Sequence, residues 1–246
     1  MRDIVDYQSV FRRIYSGGAY GTNTTHKFIH NSQKYTVVLN RYITYEGTIE
    51  YSILQQIPTM YTVAPCIRGE IQKDVLYIST VEKYGTCVLP ELSSYQGITL
   101  LKFFVRQIKS YHPEVIKSEL TDHAKILCDG IKVTLSDMMM LTRGRTYYEL
   151  AGYRACKPRD QERYEHNMSI LSRLVWKKAL KNLKKAMIHA GIDVKDIEFP
   201  VVEIEHRDAM RFMFKKYCKQ MAEAMGYYMD LIGLNSMYGV EYCLGL

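Results

Sequence analysis

No Cys-x-x-Cys pair occurs among the six cysteines, Cys66, Cys87, Cys128, Cys156, Cys218 and Cys243, and the gaps between them are long and uneven. That spacing sets aside zinc knuckles and the tight disulfide frameworks of small secreted domains, so unpaired thiols in a reducing compartment are expected. The chain opens Met1-Arg2-Asp3 with no apolar run behind it, and no secretory leader is expected. Its apolar helical stretches meet Lys or Arg well before the ~18 residues that a membrane span needs. Prolines number only six, with 47% hydrophobic and 24% charged residues, the make-up of a folded globular chain and not of a disordered one. Together these absences lead to an expected cytoplasmic setting.

Several chemistries are also missing. The cluster Gly17-Gly18-Ala19-Tyr20-Gly21 is followed by no Gly-Lys-Ser/Thr, so it is not a P-loop and fits a flexible turn or a substrate-facing loop. His26 and His30 stand four apart in a segment that reads as a polar loop, without a carboxylate or thiolate at helical spacing, and no metal site is expected. His206-Arg207-Asp208 has no serine or cysteine in a nucleophile context, which argues against a triad hydrolase.

What remains is a chain of 246 residues, long enough for one large domain or a medium domain with an extension. Its net charge of +7, from 33 basic and 26 acidic residues, would attract a phosphorylated cofactor, a nucleic acid or an acidic surface alike. Residues 3 to 15 carry Ile4, Val5, Val10, Phe11 and Ile14 at helical spacing. From Lys34 the pattern changes to short β-branched and aromatic runs, at 35–39, 51–54, 61–64, 75–81 and 86–89, which read as a largely antiparallel sheet.

A helix is expected over Gly97 to Tyr111, with Ile98, Leu101, Phe104, Val105 and Ile108 as its buried stripe and His112-Pro113 as its end. Residues 124–128 read as a further strand. Ser136-Asp137 is placed to cap a helix through Met138, Met139 and Met140 toward Leu150, stopped by Gly152. One long amphipathic helix, or two, is expected over 160–190, and another helical segment over about 207–231. The expected division is an α/β domain over 1–157 and a mainly helical extension over 158–246.

Two phrases carry the function. Ser94-Tyr95-Gln96-Gly97-Ile98-Thr99 is a glycine turn that opens a helix, where unpaired amides and the helix dipole can hold phosphate. Some fifty residues on stands Tyr147-Tyr148-Glu149-Leu150-Ala151-Gly152-Tyr153. Over roughly residues 35 to 157 the chain resembles the Gcn5-related N-acetyltransferase superfamily. The family's pyrophosphate loop, Gln/Arg-x-x-Gly-x-Gly/Ala, falls on Ser94, Gly97 and Thr99, and its Phe-Tyr-Glu-Lys-x-Gly-Phe phrase falls on Tyr147 to Tyr153. The family's asparagine contact falls near Leu141.

The resemblance implies an α+β fold with a central mixed, mostly antiparallel sheet flanked by helices and followed by a helical C-terminal extension. It implies acetyl-CoA as cofactor, held by Ser94, Tyr95, Gln96, Gly97, Ile98 and Thr99, and acetyl transfer to a primary amine. Tyr148 maps to the general acid, a phenol of pKa about 10 that protonates the departing thiolate. Glu82 and His123 are candidate bases, with Glu70 and Glu91 behind them. The abundance of Tyr, Met and Ile is similar to that of proteins from large DNA viruses, in which case the setting is the host cytoplasm.

A non-enzymatic protein of the same fold, serving assembly through its C-terminal helices, is the alternative. Arg173, Lys177, Lys178, Lys181, Lys184 and Lys185 form a stripe with no acidic residue between 171 and 185. It suits nucleic-acid phosphates or an acidic surface, or else the solvated face of a packed helix.

Overall fold

The computed structural model describes residues 12–16, 19–30, 33–44, 46–54, 66–81 and 96–246. These fall into two compact units, one ending at Thr121 and including Cys243–Leu246, the other running from Asp122 to Tyr242. The fold is α+β, with a mixed, mostly antiparallel sheet, helices, and C-terminal helices.

In the first unit β1 (Arg12–Ser16), β2 (Ala19–His30), β3 (Gln33–Ile43), β4 (Ile49–Leu54), β5 (Ile67–Gln72) and β6 (Val75–Val81) pair antiparallel in sequence order. The helix α1 (Gln96–Tyr111) then leads to β7 (Lys117–Thr121), which pairs parallel to β6. Leu101, Phe104 and Ile108 of α1 are fully buried, as are Val37, Ile53, Ile67 and Leu76 of the strands, while Lys102 and Arg106 face water.

Gly69 of β5 lets α1 approach. A Cβ there would lie 2.9 Å from the Tyr77 carbonyl oxygen and 3.2 Å from the Phe104 ring. The register of β5 against β6 also shifts at Arg68 and Gly69, the irregularity that a glycine tolerates. At the end of α1, the His112 ring bridges the Tyr51 hydroxyl and Glu114, at 2.8 Å each.

Local pattern misled at the start of this unit. Of the segment 3–15, read at helical spacing, residues 12–15 belong to β1 (Arg12–Ser16), which pairs residue for residue with β2, and residues 3–11 lie outside the described residues. Ala19, Tyr20 and Gly21 belong to β2 and not to a turn. His26 lies in the same strand and not in a polar loop; it is buried, edge-to-face with Phe103 at 5.8 Å between ring centroids, and burial lowers its pKa. The expected strands at 61–64 and 86–89 lie outside the described residues.

In the second unit β8 (Lys125–Cys128) and β9 (Ile131–Thr134) form a hairpin, turned by Asp129 and Gly130 at φ 50° and 89°. Residues 125–128 therefore form a separate two-stranded sheet, and it is β7 that extends the main one beside β6. Next come α2 (Leu135–Arg143), a 3-10 turn at Tyr148–Ala151, and β10 (Arg154–Ala155). The helices α3 (Pro158–Arg173), α4 (Trp176–His189), α5 (His206–Lys216) and α6 (Cys218–Ile232) follow, and β11 (Glu241–Gly245) closes the chain.

The helix expected through to Leu150 stops at Arg143. There Gly144 takes the left-handed conformation and its N–H bonds the Met140 carbonyl. The Arg207 guanidinium packs within 2.5 Å of where a Cβ would stand on Gly144, so both conformation and space call for glycine. Thr134, not Ser136 or Asp137, is the N-cap. Over 160–190 the extended residues Leu174 and Val175 divide α3 from α4, and Tyr217 divides α5 from α6. The core is soft and small-residue-rich: Ala179, Leu183 and Ala186 of α4, Met210 and Met213 of α5, and Met221 and Ala224 of α6 are fully buried.

Among the described residues no cysteine is a free thiol, which corrects the expectation from spacing. Cys128 of β8 is bonded to Cys218 at the start of α6, 90 residues away, and Cys66, Cys156 and Cys243 are also disulfide-bonded. Sequence spacing reports only short-range motifs, whereas this bridge is formed by the packing of a hairpin on a helix.

Candidate functional site

The first element of the expected cofactor site is the start of α1. Gln96 is the first helical residue, so Gly97 sits within the first turn and not before it. Gly97 and Ile98 are buried and Thr99 is half-buried. No acidic residue lies in that first turn, which leaves the positive end of the helix dipole open to an anion, while Lys109 complements the opposite end. Ser94 and Tyr95 lie outside the described residues, as do Glu82 and Glu91. Glu70 lies on β5, where its carboxylate accepts from Gln72 Nε2 at 2.6 Å.

Tyr148 belongs to the second unit. It opens the 3-10 turn and is only 4% exposed, with ring centroids 5.4 Å from Tyr147 and 5.5 Å from Tyr242. Burial drives its pKa far above the usual phenol value, and the nearby charge of Asp122 pushes the same way. The hydroxyl therefore stays protonated across the physiological range. The adjacent Glu149 holds the turn together, since its Oε2 accepts from the Thr146 N–H at 2.7 Å and from the Thr146 hydroxyl at 3.0 Å. Gly152 ends the turn at φ 101°. Leu141 is a fully buried core residue.

Sequence reasoning passed over Asp122. Its carboxyl is buried, and burial raises its pKa to about 6, with Asp137 adding repulsion. Oδ1 accepts the Ala124 N–H at 3.0 Å. The Ser136 hydroxyl is near enough to lower the carboxyl's pKa but lacks the geometry of a hydrogen bond, leaving Asp122 Oδ2 and Ser136 Oγ without partners. The Tyr242 hydroxyl is likewise buried and unpaired. A carboxyl that titrates near 6 beside a protonated phenol is the kind of pair from which proton-transfer sites are built. Nothing in Thr121-Asp122-His123 announces it, because its character comes from tertiary burial. His123 itself is exposed and packs edge-to-face on Tyr238, with 5.1 Å between ring centroids.

The basic stripe is as charged as its sequence implies. Arg173, Lys177, Lys178, Lys181, Lys184 and Lys185 are all exposed, and α4 holds no acidic residue. Lys184 lies 4.8 Å above the Phe199 ring. No helix among the described residues is long and apolar enough to cross a membrane.

No family model, curated protein or solved structure matches the chain.

Proposed function

We propose that the protein transfers an acetyl group from acetyl-CoA to a primary amine. The observation that carries this reading is the β6–α1–β7 arrangement. A parallel pair of strands needs a crossover, and here the crossover is a helix whose N-terminal turn contains Gly97 and no acidic side chain. Helix N-termini in strand–helix–strand crossovers are places where phosphate groups can be held by backbone amides; residues 82–95, between β6 and α1, lie outside the described residues. The resemblance to N-acetyltransferases assigns the cofactor pyrophosphate to the same residues, Ser94 to Thr99.

In the reaction, the amine nitrogen bonds to the thioester carbonyl carbon, the carbon–sulfur bond breaks, and the thiolate takes a proton. Tyr148 is the proposed donor. The amine gives up its own proton to a base, for which Glu82 and His123 are joined by Asp122, whose pKa of about 6 suits proton acceptance at neutral pH.

A second reading is a non-enzymatic assembly protein, and the burial of Tyr148 in aromatic packing favours it. So do the exposed Val175, Val201 and Val202, which flank the Trp176 Nε1 to Pro200 carbonyl hydrogen bond at the start of α4. In either reading the stripe from Arg173 to Lys185 would contact nucleic-acid phosphates or an acidic surface. Disulfide-bonded cysteines fit an oxidising compartment better than a reducing cytoplasm.

Acetyl transfer to a panel of primary amines, by the wild type and by Tyr148→Phe, tests the proposal. Loss of one hydroxyl should slow transfer by about tenfold to a thousandfold while leaving cofactor affinity unchanged. Equal turnover in the two proteins would remove Tyr148 from the mechanism. Absence of both turnover and cofactor binding would leave the assembly reading.

A further inference from the structure

An open cleft of about 640 Å³ lies in the second unit between α3 and the loop that follows α6. One face of α3 supplies Arg159, Glu162, Arg163 and His166, at the i, i+3, i+4, i+7 positions that align along a helix. The loop supplies Asn235, Ser236 and Tyr238.

The loop is firmly held from behind. Asn167, fully buried, donates to the Asn235 carbonyl at 2.8 Å and accepts the Asn235 N–H at 2.9 Å. Buried Asp137 accepts from the Ser236 hydroxyl and from the Met237 N–H, at 2.7 Å each. Arg163 donates to the Ser236 carbonyl at 3.2 Å, and His166 Nε2 to the Gly233 carbonyl at 3.0 Å. These bonds fix a wall before any ligand arrives, so little ordering cost remains for binding.

Three features of the cleft are open to a ligand. Arg159 is exposed and makes no ion pair or hydrogen bond among the described residues, although a guanidinium is suited to two-pronged contact with a phosphate. Tyr238 is 41% exposed; Lys125 lies 4.8 Å over its ring and the His123 ring centroid stands 5.1 Å away, so the part of the ring still open is an aromatic surface with a positive charge next to it. Glu162, also exposed, offers an acceptor for hydroxyl or amino groups. Asp160 stands 3.6 Å from Arg163 and offsets part of its charge, so Arg159 is the guanidinium left for an incoming anion, with Arg163 beside it.

We infer that this cleft binds a mononucleotide, with its phosphate on Arg159 and Arg163, its base against Tyr238, and its sugar or base donors on Glu162. The volume falls in the usual range of roughly 300–1,000 Å³ for small-molecule sites. A phosphate alone would leave the aromatic wall unused, and an uncharged nucleoside would leave Arg159 unpaired. The cleft is made wholly of residues from the second unit, so this inference does not rest on the cofactor reading of α1.

Titration calorimetry of the intact protein with adenosine 5′-monophosphate, adenosine and inorganic phosphate tests it. The expected result is saturable binding of the nucleotide, at least roughly tenfold tighter than either fragment. Arg159→Ala and Tyr238→Ala should each weaken nucleotide binding by about tenfold, because neither residue anchors the loop. Arg159→Ala should leave the acetyl-CoA titration unchanged, which separates this cleft from the α1 site. No saturable binding at millimolar nucleotide would overturn the inference. So would inorganic phosphate binding as tightly as the nucleotide, or undiminished nucleotide binding in both variants.

Discussion

The two units bury polar groups differently. Among the described residues, the first buries Asn23, His26, Gln107 and Ser118, and its only buried ionisable side chain of these is an imidazole. The second buries Asp122, Asp137, Asp160 and His206, together with Asn167, Ser136 and Thr146. Burial disfavours the charged forms of Asp122, Asp137 and His206 in the helical unit, while the sheet unit offers backbone geometry and a helix terminus. Phosphate can be held by amides alone, but proton transfer needs titrating side chains. The two units thus differ in what they offer a ligand, backbone amides in the first and titrating side chains in the second.

The largest expected effect tests whether the units have separate cores. Phe104→Ala should cost about 3–5 kcal/mol, because the ring is fully buried between α1 and the strands. Native-state hydrogen exchange should show the loss in the amides of β5 and β6 more than in those of α4 and α6. Equal loss in both sets would mean that the units unfold as one.

The disulfide distinguishes the units from the other side. Cys128→Ser with Cys218→Ser removes a cross-link spanning 90 residues, and should destabilise the second unit by about 2–5 kcal/mol. Chemical denaturation followed by Trp176 fluorescence reads this unit, since the chain's one tryptophan is fully buried there. An unchanged midpoint in the double variant would show that packing alone holds the hairpin on α6.

A subtler consequence concerns pH. The folded Asp122 carboxyl titrates near 6 instead of 3.8, so the folded state binds more protons than the unfolded chain between those values, and stability falls as pH rises through them. His206 behaves in the opposite sense. Burial, with Arg207 nearby, lowers its pKa from 6.5 to about 4, so stability is lost as pH falls through that window. Each contributes on the order of 3 kcal/mol, and the two nearly cancel between pH 4 and 6. Asp137, also raised by burial, adds to the Asp122 side. The wild type should therefore lose stability only gently as pH rises through that window. Asp122→Asn should make stability fall on acidification, and His206→Gln should make it rise. A steep wild-type profile unaltered by Asp122→Asn would contradict the assignment.

The sequence made some of this legible and hid the rest for physical reasons. The stripe Leu101, Phe104, Ile108 and the stop at His112-Pro113 located α1 to within one residue, because a helix packed on one face writes its period into the chain. The strands β3, β4 and β6 were visible from β-branched runs. By contrast β5, Ile67-Arg68-Gly69-Glu70-Ile71-Gln72, reads as a charged, glycine-broken segment, and only pairing with a strand on each side makes it extended. Asp122 and the Cys128–Cys218 bridge were invisible for the same reason: burial and contact at long range leave no local period. Tyr148 was singled out by resemblance, and its burial is visible only in the structure.

The central claim is that the first turn of α1 holds the cofactor's pyrophosphate, and titration of acetyl-CoA into the wild type and Gly97→Val measures it most directly. The account predicts micromolar binding by the wild type, and loss of affinity by at least roughly tenfold in the folded variant, since a branched side chain at Gly97 blocks approach to the amides of the turn. Circular dichroism and the thermal midpoint would show that the variant remains folded. Wild-type binding that survives Gly97→Val unchanged, or no heat from the wild type at millimolar acetyl-CoA, would contradict it.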